Sequence, residues 1–216
     1  MKIVILAVAF LGVLVPTSMF AQKNAGKLPP RQIVPLAVKR SAQAAVQKVM
    51  DKTVRGDNQA AIDAMNPAYL KIIARGNGGV AKHKAKLLNA MNMMGKNGVT
   101  FLAGITQVAD SAIECDYGLE GPEGAKVGVY RKWMVFVPTV KDISILDTEQ
   151  KPPVLRTFRK TEYEVAISPK GREEWTFING SGINALELRK LFPFLPKDDK
   201  AFNFPEVKTV ELTKKK

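Results

Sequence analysis

The second half of the chain alternates between apolar and polar positions with the period of a β-strand. Its clearest stretch is a hairpin over residues 155–178. The odd positions from Tyr163 to Ile167 are apolar, and charged residues alternate with them from Lys160 to Glu164. This pattern is typical of a strand with one solvent-exposed face. Ser-Pro-Lys-Gly at 168–171 suits a turn. The return strand places Trp175 and Phe177 on one face, and we expect helices to cover it.

Three further strands precede this hairpin. The last of them is apolar on both faces, which is typical of a central strand or of one at an interface. The stretch 139–154 is less regular and contains Pro152-Pro153. We therefore expect a long connection there, with at most a short edge strand at 143–146. The three predicted strands span residues 99–108, 111–119 and 127–137.

The first half of the chain has helical spacing and helix-ending signals. Asp57 and Asn66 are suited to cap the second and third helices, and Pro67 suits a first helical position. Near the other end, Asn184 with Glu187 three residues later predicts a capping box for a short helix. The predicted helices span residues 37–54, 58–65, 67–74, 80–94 and 185–192.

Helices followed by strands indicate an α+β fold. We expect N-terminal helices packed on a strongly bent antiparallel sheet, with a short C-terminal helix and tail. The expected domain is a single unit over 37–196. A flexible arm over 22–36 precedes it, and a charged tail over 197–216 follows it.

The first 21 residues have the composition of a secretory signal. Lys2 provides a positive start, an apolar run follows to Val15, and Ala21 precedes the expected cleavage site. Pro16 interrupts the run before the length of about 20 residues that a membrane span needs. We therefore expect the mature protein to be secreted or periplasmic.

The chain is strongly basic, with a formal charge of +13. Such a charge favours anionic partners, and for an exported chain we expect an anionic lipid or an acidic glycan. The densest local cluster is Lys214-Lys215-Lys216. The positive residues are otherwise dispersed and no nucleic-acid-binding motif accompanies them, so we expect no specific nucleic acid partner.

Metal-ligating residues are scarce. Cys115 is the only cysteine and His83 the only histidine, so the sequence has no metal-ligand spacing and allows no intramolecular disulfide. Cys115 falls on the apolar side of its strand, where a thiol behaves as a small hydrophobe. We expect neither a metal nor a cofactor.

The corner Arg55-Gly56-Asp57-Asn58-Gln59-Ala60-Ala61 and the late strand Glu174-Trp175-Thr176-Phe177-Ile178 together resemble the nuclear-transport-factor-2-like superfamily. In that family a Gly-Asp-x-x-Ala corner joins the first two helices, and the Trp lies in the sheet against them. The resemblance covers residues 37–178. It implies a cone-shaped sheet whose open end holds a small apolar ligand, in a fold that serves isomerases, dehydratases and binding modules alike.

The resemblance also indicates where catalytic groups would lie, since enzymes of this family place acids, His or Tyr inside the cone. In this chain, alternation assigns the strand carboxylates to the polar face, which counts against a buried general base. These carboxylates are Glu114, Asp116, Glu162 and Glu164.

Four residues remain as site candidates. Tyr117, Trp133 and Tyr163 are candidates for ligand stacking; core packing is the alternative for all three and is favoured for Trp133. His83 lies on a helix stripe with Leu87, where a structural role is the alternative to acid–base catalysis.

Two functions follow from these candidates. The first is an exported, non-catalytic binding or interaction domain that uses the cone for a small apolar ligand, or the basic surface for an anionic envelope component; a homodimer through the sheet is a further expectation. The second is a cofactor-free isomerase or dehydratase that uses His83 with Tyr117 or Tyr163.

Overall fold

Two long antiparallel strands form the centre of the sheet. The computed structural model describes residues 28–123 and 125–212, and the predicted signal and the Lys214–Lys216 cluster lie outside these ranges. Strand β3 (Val127–Asp147) pairs with β4 (Val154–Pro169) along nearly their whole lengths.

Short strands flank this central pair, two on each side. β1 and β2 pair with opposite halves of β3, whereas β5 and β6 pair with different parts of β4. Every pairing is antiparallel, as the sequence predicts. The short strands are β1 (Val99–Thr106), β2 (Ala112–Glu120), β5 (Thr176–Asn179) and β6 (Lys208–Leu212).

The prediction of an irregular connection over 139–154 is wrong. β3 continues to Asp147, so the connection to β4 is only the short loop before Val154. Thr139 and Lys141 occupy the same side of β3 as the buried Val137, and their polarity hides the period of the strand.

Three of the described helices begin at the caps that the sequence predicts. The Asp57 side chain accepts a hydrogen bond from the backbone N–H of Ala60, and the Asn66 side chain accepts two from the third helix. Asn184 and Glu187 form the expected capping box. The helices are α1 (Leu36–Val54), α2 (Asn58–Asp63), α3 (Pro67–Ile73), α4 (Val80–Lys96) and α5 (Ala185–Leu191).

Both faces of the sheet are covered in its middle, by different parts of the chain. On one face, α1 packs Ala42, Val46 and Met50 against Val135 and Val137. The other face is covered by α5 and the chain that follows it, as the second cluster shows. That cluster includes Cys115, Met134, Phe136, Tyr163, Val165, Ile167, Leu188, Phe192, Leu195 and Phe202.

The residues after 196, which the sequence analysis assigns to a charged tail, are packed as far as Leu212. A 3-10 turn at Asp199–Phe202 buries Phe202 completely, and β6 then pairs with β4. The sequence shows one apolar patch here, Phe202-Asn203-Phe204-Pro205, in a stretch that is otherwise mostly charged and has no clear periodicity.

The α+β class and the order of its elements are confirmed. From Arg31 onwards the chain forms one compact unit. Cys115 is a free thiol and is fully buried, as expected, and this burial raises its pKa to about 12. Among the helices within 28–123 and 125–212, none is long and apolar enough to cross a membrane.

Candidate functional site

A cavity of about 390 Å³ lies between the N-terminal helices and the sheet. This volume is within the range of about 300–1,000 Å³ that is common for small-molecule sites. Its wall is predominantly apolar. The lining residues are Val46, Val49, Met50, Thr53, Val54, Ala61, Ile62, Met65, Tyr69, Ile73, Leu87, Met91, Phe101, Ala103, Lys141, Glu164, Phe177 and Asn179.

The cavity exists because α4 does not fill the space beneath it. This helix has no buried residue, although Leu87 and Met91 point to the sheet from its inner side. α1 is held more firmly: the Gln47 side chain accepts hydrogen bonds from the Thr106 backbone N–H and hydroxyl, each at 2.9 Å, and donates one to the carbonyl of Gly104 at 2.9 Å.

Two of the lining residues, Ala103 and Asn179, are exposed. The cavity is therefore open to solvent beside β1 and next to its polar end.

One end of the cavity is polar. Lys141 of β3 lies 2.5 Å from a carboxylate oxygen of Glu162 and 3.2 Å from one of Glu164, both on β4. Lys160 lies 2.8 Å from the second oxygen of Glu162. The side-chain amide of Asn179 donates a long hydrogen bond of 3.5 Å to Glu164. Lys141 and Glu164 face the cavity, whereas Glu162 is almost fully buried behind them.

The pKa values of these groups differ because their surroundings differ. Burial raises the pKa of Glu164 above its ordinary value, and the nearby Lys141 ammonium offsets this only in part. Burial acts in the same direction on Glu162, but Lys141 and Lys160 outweigh it and lower that pKa. For Lys141, burial lowers the pKa, but the two carboxylates outweigh this effect and raise it.

The prediction that the strand carboxylates lie on a solvent-exposed face is wrong for three of the four. Glu114 and Glu162 are 1% and 2% exposed, and the Glu164 side chain is 17% exposed. Asp116 is more accessible and pairs with Arg131 and Lys132. Alternation correctly groups Glu162 with Glu164, but α1 and the cavity, not solvent, lie over part of that face.

Glu114 has a structural role. Its carboxylate accepts a hydrogen bond from the backbone N–H of Gln32 at 2.6 Å and forms an ion pair with Lys170. The guanidinium of Arg31 donates to the Glu114 backbone carbonyl and lies 4.7 Å from the centre of the Tyr130 ring. Part of the predicted arm is thereby fixed to β2.

His83 is not among the residues that line the cavity, whereas Leu87 and Met91 are. Its two ring nitrogens are enclosed and have no hydrogen-bond partner in the described part of the chain. The structure does not bring His83 together with Tyr117 or Tyr163, so the proposed His–Tyr pairing in one cavity has no geometric support.

The three predicted stacking residues also lie away from the cavity. Tyr163 is in the core on the opposite face of the sheet, where its ring stacks on Phe204 with 5.6 Å between centroids. Tyr117 lies against Phe194, with 5.1 Å between centroids. Trp133 is buried beneath the Lys170 ammonium, which is 4.4 Å from the ring centre.

Lys141 and Glu164 were not predicted as a pair from the sequence. They are 23 residues apart and meet only because β3 and β4 are paired in a register that places Val137 opposite Glu164. Lys141 is followed directly by Asp142 and lies between Thr139 and Ser144, so its charge gave no signal of a site. Tyr69, which also lines the cavity, was missed because it lies on a short helix with little periodicity.

No group of three or more His, Cys, Asp or Glu side chains within 28–123 and 125–212 could hold a metal ion. Comparison with known proteins gives no relative: no protein-family model, curated protein or solved structure matches the chain. The resemblance to the nuclear-transport-factor-2-like superfamily therefore stays a prediction.

Proposed function

We propose that this protein is an exported, non-catalytic domain that binds a small apolar ligand in the cavity between α1, α4 and the sheet. The observation that carries the proposal is the cavity itself, about 390 Å³ in volume and lined mainly by aliphatic and aromatic side chains. An apolar pocket with a small number of convergent polar groups is the usual arrangement of a ligand site.

The polar end defines the kind of ligand. Lys141 supplies N–H donors, and Glu164 supplies an acceptor or, when protonated, a donor. A ligand with an apolar body and one polar group would satisfy both parts of the cavity. A ligand of high charge would not, because desolvating a second charge inside an apolar wall is costly.

The test uses purified protein and N-phenyl-1-naphthylamine, a neutral apolar probe whose fluorescence rises in an apolar site. Ala61→Phe places an aromatic ring in the cavity from α2, and Ala44→Phe adds the same ring to the exposed side of α1. We expect Ala61→Phe to weaken probe binding at least tenfold and Ala44→Phe to leave it unchanged. Mass spectrometry of solvent extracts would identify a co-purified ligand.

Equal probe affinity in both variants, with both folded by circular dichroism, would show that the cavity is not the binding site. A loss of affinity in both would mean that the added ring disturbs α1 and its surroundings, and would equally remove the support for the cavity.

The second candidate is a cofactor-free isomerase or dehydratase, which the position of Glu164 favours. A carboxyl group with a raised pKa beside an apolar cavity is suited to accept or donate a proton. If the protein is such an enzyme, the Glu164→Gln variant should bind the ligand normally but no longer convert it. Under the binding function no turnover of the bound ligand is observed with either form.

A further inference from the structure

The wall of the cavity includes a long segment without acidic residues. Between Asp63 and Asp110 the chain contains six Lys or Arg and no Asp or Glu. This segment, residues 64–109, is called the basic cap below; it includes α3, α4 and β1. It contributes Met65, Tyr69, Ile73, Leu87, Met91, Phe101 and Ala103 to the cavity.

The cations of the basic cap are mostly unpaired. Of its six Lys and Arg residues, only Lys84 forms an ion pair within the described part of the chain, with Asp63 at 3.2 Å. On the sheet, by contrast, cations such as Lys141, Arg156 and Arg159 are each paired with an acid. The five exposed cap residues without an ion-pair partner in the described part of the chain are Lys71, Arg75, Lys82, Lys86 and Lys96. Their charge creates a local positive potential.

Apolar side chains are exposed among these cations. On α3 and α4 four large apolar side chains are 36–43% exposed: Ile72, Val80, Met93 and Met94. Lys82, Lys86 and Met93 share the outer side of α4 by helical spacing. Cations combined with exposed apolar side chains on a helix are typical of segments that lie in the interface of an anionic bilayer.

The opening of the cavity beside β1 lies within the same segment, because the exposed Ala103 belongs to β1 and α4 contacts that strand. α4 has no buried residue, so less apolar burial holds it than holds α1. Both the exposed lining residue Ala103 and the helix that covers the cavity therefore belong to the basic cap.

We propose that the basic cap is the surface through which the protein docks on an anionic lipid bilayer, and that the ligand is an apolar molecule exchanged between that bilayer and the cavity. The docking part stands on the cap alone, whereas the exchange part rests on the proposed function. The favoured partner is lipid and not an acidic glycan, because exposed Ile72, Met93 and their neighbours gain nothing from a polar polymer.

The test measures partition of the protein onto vesicles of phosphatidylcholine with or without phosphatidylglycerol. Lys82→Gln/Lys86→Gln removes two cap cations, and Lys48→Gln/Lys52→Gln is the matched control. The control lysines lie on α1 beside the acids Asp57, Asp63 and Glu173.

Each cation near an anionic surface contributes about fivefold to partition. We expect the cap variant to bind anionic vesicles roughly 20- to 30-fold more weakly, a loss that shrinks as salt rises. The control variant is expected to lose much less, and vesicles without phosphatidylglycerol to bind little of any form. Met93→Gln tests the apolar part and should also weaken binding.

Equal losses in the two double variants would overturn the assignment to the basic cap. Retention of heparin by the wild type, with no dependence on Met93 and no vesicle binding, would replace lipid by an acidic glycan. Ala61→Phe separates the two proposals: it should keep vesicle binding while it loses the apolar probe. Vesicle binding without transfer of the probe from labelled vesicles would refute only the exchange.

Discussion

Replacing Lys141 with methionine should destabilise the fold more than any other change at the polar end of the cavity. Lys141 is the only described cation in contact with both Glu162 and Glu164, at 2.5 Å and 3.2 Å, and its side chain is 17% exposed. Methionine keeps the length and apolar character of the stem but removes the charge. Two enclosed carboxylates then lie next to each other without the ammonium between them.

Removal of one partner from a buried ion pair typically costs about 3–5 kcal/mol. We place the expected value near the lower limit, because Lys160 still contacts Glu162 at 2.8 Å and because the Glu164 side chain is 17% exposed. We therefore expect Lys141→Met to lower the free energy of unfolding by about 3 kcal/mol at neutral pH. Urea unfolding followed by tryptophan fluorescence measures this difference.

The pH dependence identifies the cause. The pKa of Glu162 is lowered in the folded protein, mainly by Lys141 and Lys160 acting against burial. A carboxyl group whose pKa is lowered by folding stabilises the protein at pH values above its ordinary pKa of 4.5. This stabilisation is lost as the pH falls through the pKa of the folded state. The difference between wild type and Lys141→Met should therefore be largest near neutral pH and shrink as the pH falls below 4.5.

Glu164→Gln is the matched control. Burial raises the pKa of Glu164. Its favourable contribution to stability is therefore present at pH values below its ordinary pKa and is lost as the pH rises through the pKa of the folded state. Glutamine resembles the protonated form, and Lys141 keeps Glu162 as a partner. We expect a change within about 1 kcal/mol at neutral pH. A Lys141→Met loss that persists in acid would mean that packing of the lysine stem, and not charge, causes it.

Two further predictions concern packing, and urea unfolding measures both. Phe202→Ala should cost about 3–5 kcal/mol, because the ring is fully buried in the core under the C-terminal segment; a cost below about 1 kcal/mol would show that this segment is not part of the folded core. Trp175→Ala should cost about 1–3 kcal/mol, since the ring is half-buried and its Nε1 donates to the Ser41 hydroxyl at 3.0 Å. Exposed Glu174→Ala should change stability by less than about 0.5 kcal/mol, and equal losses in these two variants would contradict the orientation of Trp175.

Features set by neighbouring residues were predictable from the sequence. Asp57, Asn66 and Asn184 cap their helices through contacts two or three residues away, so the caps follow from the local sequence. The alternation around Tyr163 likewise predicts β4 and its two faces. These signals were sufficient for the α+β class and the order of the elements.

Features set by distant parts of the chain were not predictable. Alternation separates Tyr163 from Glu164, but it does not say what covers either side. The side of Tyr163 is covered by residues from Ile183 onwards, including Phe202 and Phe204, whereas the side of Glu164 meets α1 and the cavity. The charged side was expected to face solvent, and the predicted stacking residue Tyr163 therefore lies on the face opposite the cavity.

The polar end and the unfilled space beneath α4 belong together energetically. A cavity in a protein core costs about 24 cal/mol per Å³, so 390 Å³ of empty space would cost on the order of 9 kcal/mol, comparable with the whole stability of a domain. The exposure of Ala103 and Asn179 allows water to enter, which reduces this cost. Water can form hydrogen bonds with the wall only at the polar end, where Lys141 and Glu164 lie. The aliphatic remainder of the wall gains free energy when an apolar molecule replaces that water. An apolar ligand therefore stabilises the fold in proportion to its occupancy, and α4, which buries no residue of its own, is the element with most to gain from that contact.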